Sequence, residues 1–300
     1  MILVQIYIQK RWIERAKYWG RTTYLGQAGH DQVAQAVASG CAAIGKIGES
    51  ELRALRCYLK HRDADGFCSY WNPGCRRLYA IAGVFPPTPE SFTDFAREFI
   101  SAVEAIDVMA VWWIPGEARV VKKMAPKATL VGLRCLEPHF WEQPWVQHLE
   151  GKRVLVVSPF TETMIAQHAQ LEKVWSKKPS MAVNFELKTL KTPLCAILAK
   201  SPYESWSQGL EDLRQQMSDI EFDVAIIGAG AWSLPLTAHA KSLGKVGFHL
   251  GGATQLLFGI RGRRWDVTPS QVRYQNEYWK RPAQQERPST YEKIEGGCYW

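Results

Sequence analysis

Hydrophobic and polar positions along this chain alternate between two patterns. Short runs in which nearly every residue is apolar, such as 224–227 (VAII), are separated by longer stretches where apolar residues recur every three or four positions. A continuous apolar run of about four to eight residues predicts a strand covered on both faces, and the longer spacing predicts an amphipathic helix. On this reading 41–47 (CAAIGKI) is a strand and ESELRALRCYLKHR after it a helix. A helix over 91–106 leads into a strand over 107–114, and 128–133 (ATLVGL) and 153–160 (RVLVVSPF) are further strands. Helices follow over 161–175 and 203–220, then a strand at 223–227, a helix reaching Leu243, and an apolar run from Val246. Strands alternating with helices predict an α/β layered fold, a mainly parallel, Rossmann-like sheet with helices on both faces. The opening MILVQIYIQKRW reads as an early strand, and 66–75 (GFCSYWNPGC) as a turn-rich loop. From Pro269 the pattern gives way to a polar tail. The expectation is one domain over 1–300, with a core over about 35–265, an extension over 1–34 and a tail over 266–300.

Composition narrows the class. At 46% apolar and 22% charged residues, the 300-residue chain reads as an ordinary soluble globular protein. The opening apolar run is too short for a signal or a membrane span, and its charge follows the run instead of preceding it. Cys298 does not stand where a prenylation box needs its cysteine. A cytoplasmic location is expected. Seven cysteines, with no CxxC pair among them, read as reduced thiols and argue against a zinc ribbon. A formal charge of +8 points to an anionic partner or a solvated basic surface. No nucleic-acid motif accompanies it, so nucleic acid is not expected; peripheral contact with an anionic membrane is.

Candidate chemistry lies at two glycine turns. After the run 224–227 come Gly228, Ala229, Gly230 and, three residues on, Ser233, a near match to the dinucleotide fingerprint. That fingerprint also needs an acid at the end of the next strand, about 20 residues on, to hold a ribose. Here the strand KVGFHLGG offers His249, Leu250 and two glycines instead. Three readings stand: a nicotinamide or flavin site, a purely structural strand-to-helix turn, and a site for another phosphate group. Gly251 and Gly252 repeat the arrangement after the following strand, so the two turns predict one crevice at the carboxyl edge of the sheet. His249 is a candidate acid/base or phosphate donor there, and Arg261, Arg263 and Arg264 could neutralise a diphosphate. A third turn, IGKIGESEL (44–52), places Glu49 and Glu51 at a helix start, where acids are favoured in any case. Both could instead point at the sheet edge and hold a hard divalent cation. Asp63 and Asp65 in HRDADGF form a rival acidic pair, read as a helix-ending turn. Tyr70 and Trp71 are candidates for an aromatic platform under an acceptor sugar, whereas Trp112 and Trp113 read as core.

The strings GKIGESEL, VLVVSPF, DVAIIGAGAWSLPLTAHAKSLGK, GFHLGGATQLLFGIRGRRW and the closing EGGCYW together resemble the bacterial GT-D-fold glycosyltransferases, most of all the branch of polysaccharide and glycan assembly. The resemblance runs from about residue 35 onward, and GGATQLLFGIRGRRW is its most specific part. It implies a GT-D-type fold and transfer of a sugar from a nucleotide-diphosphate donor to a glycan or lipid-linked acceptor. The family's Asp-x-Glu motif falls on Glu49, Ser50 and Glu51, and implies that Glu49 and Glu51 hold Mn²⁺ or Mg²⁺. Glu49 is one methylene longer than the family's Asp. The implied nucleotide-sugar site takes Lys46, Gly48, Ser158, Gly228, Gly230, Gly251, Gly252 and Gln255, with Glu51, Glu49 and His249 catalytic. A non-catalytic nucleotide-binding protein of the same fold is the alternative, and an NAD(P)-dependent oxidoreductase the third.

Overall fold

The apolar runs become parallel strands because both of their faces are covered. The computed structural model describes residues 11–61, 73–194 and 201–300. In it, eight strands form one sheet: β1 (Thr23–Tyr24), β2 (Ala42–Lys46), β3 (Val108–Val111), β4 (Thr129–Gly132), β5 (Arg153–Ser158), β6 (Glu186–Lys191), β7 (Val224–Ile227) and β8 (Val246–His249). Their order is β1-β4-β3-β2-β8-β7-β5-β6, and every pairing is parallel. The architecture is α/β and Rossmann-like.

Alternation along the strands divides the core into two layers. Met109, Val111, Leu155, Val157, Ala225 and Ile227 face a layer that contains Leu52, Leu55, Phe92, Phe95, Phe99, Leu210 and Leu213. These come from the helices Glu49–His61, Pro89–Glu104 and Trp206–Ser218. Val108, Ala110, Val154, Val156, Val224, Ile226 and Phe248 face the other layer, with Val33 and Val37 of the helix Gly26–Ala38. That second layer also takes Trp145, Trp265, Trp279, Ile294 and Trp300, so turns and irregular chain cover much of this side. Helix starts follow local chemistry. Thr88 Oγ1 accepts from Ser91 N at 3.3 Å just before Pro89, and Ser205 Oγ accepts from Gln208 N at 3.1 Å.

Several expected spans change. The strand expected over 107–114 ends at Val111, and Trp113 then turns with φ of +58°. The helix expected over 161–175 breaks into Thr161–His168 and Leu171–Val174. The region 23–38 belongs to the sheet and its cover, since Thr23 pairs with Leu130. The opening strand of the sequence falls almost wholly outside the described residues. The connection from β5 leads to β6 on one side, while that from β7 leads to β8 on the other, so the sheet has a switch point between β5 and β7. No described helix is long and apolar enough to cross a membrane.

Candidate functional site

At the carboxyl end of β2 the chain turns sharply into the helix Glu49–His61, and the turn decides where two charged groups go. Gly48 has no side chain because Glu51 lies over it: a Cβ there would stand 2.2 Å from Glu51 Oε2. Folded back in this way, Glu51 comes beside Lys46. Burial raises the Glu51 pKa and the Lys46 charge opposes the rise; burial lowers the Lys46 pKa and Glu51 opposes the fall. Trp112 closes one wall. Its Nε1 donates to the Ile47 carbonyl at 3.0 Å, and Lys46 Nζ sits 5.6 Å from its ring centroid, a cation–π contact. The carboxylate of Glu49 goes elsewhere, into an exposed ion pair with Arg53 at 2.6 Å.

The two glycine turns touch each other. A Cβ on Gly228 would lie 2.6 Å from the Gly251 carbonyl and 2.9 Å from Thr254 Oγ1. Gly230 takes φ of +58° and packs on the Ala82 carbonyl, while Gly252 lies under the Tyr299 ring. Most of these glycines are therefore required by protein packing, and Ser233 by an internal bond, its Oγ accepting from Ala229 N at 2.8 Å. Gly251, with φ of +64°, brings its backbone between His249 and Lys46: a Cβ there would be 3.5 Å from His249 Cε1 and 3.6 Å from Lys46 Nζ. His249 is only 5% exposed, and burial first, then the Lys46 charge, holds its pKa well below the ordinary value, so the ring is neutral at pH 7. Its Nδ1 has no hydrogen-bond partner. The same holds for Thr254 Oγ1, Thr192 Oγ1 and Gln255 Oε1, although Gln255 Nε2 donates to the Tyr299 carbonyl at 3.0 Å. Buried polar atoms are normally paired, so a group of orphans around one cavity marks places for ligand atoms or water.

The far wall comes from the C-terminal segment. Arg264 lies 4.9 Å from the Tyr299 ring centroid and forms an ion pair with Glu295, which Arg77 also approaches at 3.7 Å. Burial pushes the Tyr299 hydroxyl up to about 12. Of the two neighbouring arginines, Arg261 pairs with Asp266 and Arg263 donates to the Gly296 carbonyl. Only Arg264 of the three reaches the cavity.

Together these walls enclose about 400 Å³ at the carboxyl edge of the sheet. Lys46, Gly48, Glu49, Glu51, Ser158, Gly228, Gly230, His249, Gly251, Gly252 and Gln255 all line this one space. Ser158 is buried, and its Oγ accepts from Phe160 N at 3.2 Å, which shapes the turn after β5. Tyr70, Trp71, Asp63 and Asp65 lie outside the described residues. No family model, curated protein or solved structure matches the chain.

Sequence reasoning missed several lining residues. Trp112, read as core, is a half-buried cavity wall, because β3 ends one residue before it. Arg77, Thr192, Thr254, Trp232, Glu295 and Tyr299 also line the space. Glu295 and Tyr299 lay within the closing EGGCYW, so their signal was present without an assigned role. Arg77 and Thr192 stand in segments with no motif. The donor set does not fit a resident divalent cation. Among the described residues no group of three or more His, Cys, Asp or Glu side chains is placed to hold one. Glu49 is engaged with Arg53, and Glu51 faces an ammonium group.

Proposed function

We propose that this protein is a glycosyltransferase of GT-D type. It moves a sugar from a nucleotide-diphosphate donor to a hydroxyl on a glycan or lipid-linked acceptor. The observation that carries this reading is convergence: the separate strings behind the family resemblance meet around one cavity. Its volume lies within the range of about 300–1,000 Å³ typical of small-molecule sites. The absence of an acid after β8 removes the usual ribose partner of a dinucleotide and favours a different phosphate ligand.

The chemistry follows from the charges. The bond from the anomeric carbon to the diphosphate oxygen breaks, and its electron pair leaves with the diphosphate. The acceptor oxygen forms the new bond to that carbon and gives up its proton. Glu51 takes the proton: burial raises its basicity, and the Lys46 charge opposes the rise. Lys46 and Arg264 stabilise the charge that develops on the diphosphate. His249, neutral, orients an oxygen of donor or acceptor through a ring nitrogen.

Incubation with UDP, GDP and dTDP sugars and an acceptor extract tests the reading. One donor should be consumed, and Glu51→Gln should slow consumption about 10²- to 10⁴-fold with donor affinity kept. Unimpaired turnover in Glu51→Gln removes Glu51 from the mechanism. Donor binding without sugar release identifies a non-catalytic nucleotide-binding protein, and stabilisation by NAD alone an oxidoreductase.

A further inference from the structure

We propose that the diphosphate in this cavity is held by side-chain cations, Lys46 and Arg264 with Arg77 beside them, and not through a divalent metal ion. The inference rests on the donor class proposed above and concerns how its charge is met. A diphosphate needs positive charge from somewhere, and the cavity supplies it from two walls. Lys46 rises from the end of β2 against Gly251, whose missing side chain leaves the ammonium open to the space. Arg264 and Arg77 converge on Glu295 from the opposite wall. Among the described residues that sets two guanidinium groups against one carboxylate, and Arg77 Nε is buried without a hydrogen-bond partner. Between the two walls lie the orphaned polar atoms of His249, Thr254 and Gln255, each on a residue no more than 5% exposed.

A metal ion would find the opposite conditions. At phosphate sites a hard divalent cation is held by one or two free carboxylates together with the substrate's phosphates and water. The two acids of the motif are split: both border the cavity, but the Glu49 carboxylate is paired with Arg53 at 2.6 Å, while Glu51 folds back over Gly48. A cation bound to Glu51 would sit against the Lys46 ammonium. The helical Glu49–Arg53 spacing of four residues accounts for the split: this acid meets its partner one turn on.

Calorimetric titration of the full chain with UDP, GDP, ADP, CDP and dTDP, each in EDTA and in Mn²⁺, decides the matter. At least one should bind in EDTA and bind no more tightly with Mn²⁺. Lys46→Met and Arg264→Met should each weaken it roughly tenfold to a hundredfold, the loss of one charged hydrogen bond. Lys46→Arg should retain most of the affinity. Should a methionine variant fail to fold, the comparison on the native chain still decides. Tightening of tenfold or more by Mn²⁺, lost in Glu51→Gln, overturns the inference and leaves the glycosyltransferase reading intact. No binding under either condition removes both.

Discussion

At residue scale, Gly48 is the most informative position, because its reason is visible. Its neighbour is the end of a flexible side chain, Glu51, at 2.2 Å from the missing Cβ. Gly48→Ala should therefore swing Glu51 aside and leave the backbone in place. The expected result is loss of sugar transfer comparable to Glu51→Gln, with stability changed by less than about 1 kcal/mol in urea denaturation. Activity close to native would mean that Glu51 works from another position. The sequence marked Gly48 only through the family resemblance, as part of a nucleotide-sugar site, with no physical reason attached. It could not show the real one, because a glycine that yields to a side chain three residues on looks the same as one that yields to a ligand. The identities of the cavity residues were legible through the motif strings; their roles depended on geometry, as the divergence of Glu49 and Glu51 illustrates.

At the scale of elements, buried strands were legible and edge strands were not. β7 and β5 are apolar on both faces, so every position reports burial. β6 (ELKTLK) lies at one edge of the sheet with mostly polar residues, and β1 at the other edge is two residues long. Neither produces an apolar run. The end of β3 was equally hidden, since Trp112 and Trp113 read as a continuation of the strand. What stops the strand is Glu117, the first residue of the helix Glu117–Met124. Its buried carboxylate accepts from Trp113 N at 2.8 Å, Trp112 N at 3.2 Å and the Tyr18 hydroxyl at 3.2 Å. Burial nevertheless raises its pKa from 4.5 to about 7, with these donors opposing the rise. The fold holds the proton more tightly than the unfolded chain does, so this group's contribution to stability is full below pH 4.5 and is lost as the pH rises through 7. Between pH 5 and 8 the loss is about 2–3 kcal/mol. Thermal melting over that range should fall more steeply for the native chain than for Glu117→Gln. Parallel profiles would show that Glu117 titrates normally.

At the scale of the whole molecule, the polar C-terminal stretch turns out to complete the cavity. It has no period because it folds as turns, one helical turn at Pro269–Val272 and short 3₁₀ pieces, held by individual contacts. Glu286 is buried and accepts from Glu162 N at 2.8 Å and Thr163 N at 3.3 Å, taking the start of the helix Thr161–His168. That carboxylate fills the anion position a helix N-terminus offers, so the ligand must be held by the other turns. Trp300 is the anchor. It is 5% exposed, packs edge-on to Phe160 at 5.6 Å and Tyr291 at 5.8 Å, and its Nε1 donates to the Glu286 carbonyl at 3.2 Å. Its carbonyl accepts from Arg263 N at 3.1 Å, which ties the last residues to the arginine turn. Between these fixed points stand Glu295 and Tyr299, which position Arg264. Trp300→Ala should therefore act twice. Removing a buried indole costs about 3–5 kcal/mol of stability. Freed from its anchor, the segment should also release Arg264, so nucleoside diphosphate affinity should fall together with the urea midpoint, even at temperatures where the variant is fully folded. A loss of stability with affinity unchanged would show that the segment only covers the core, and that Arg264 is held by Glu295 alone.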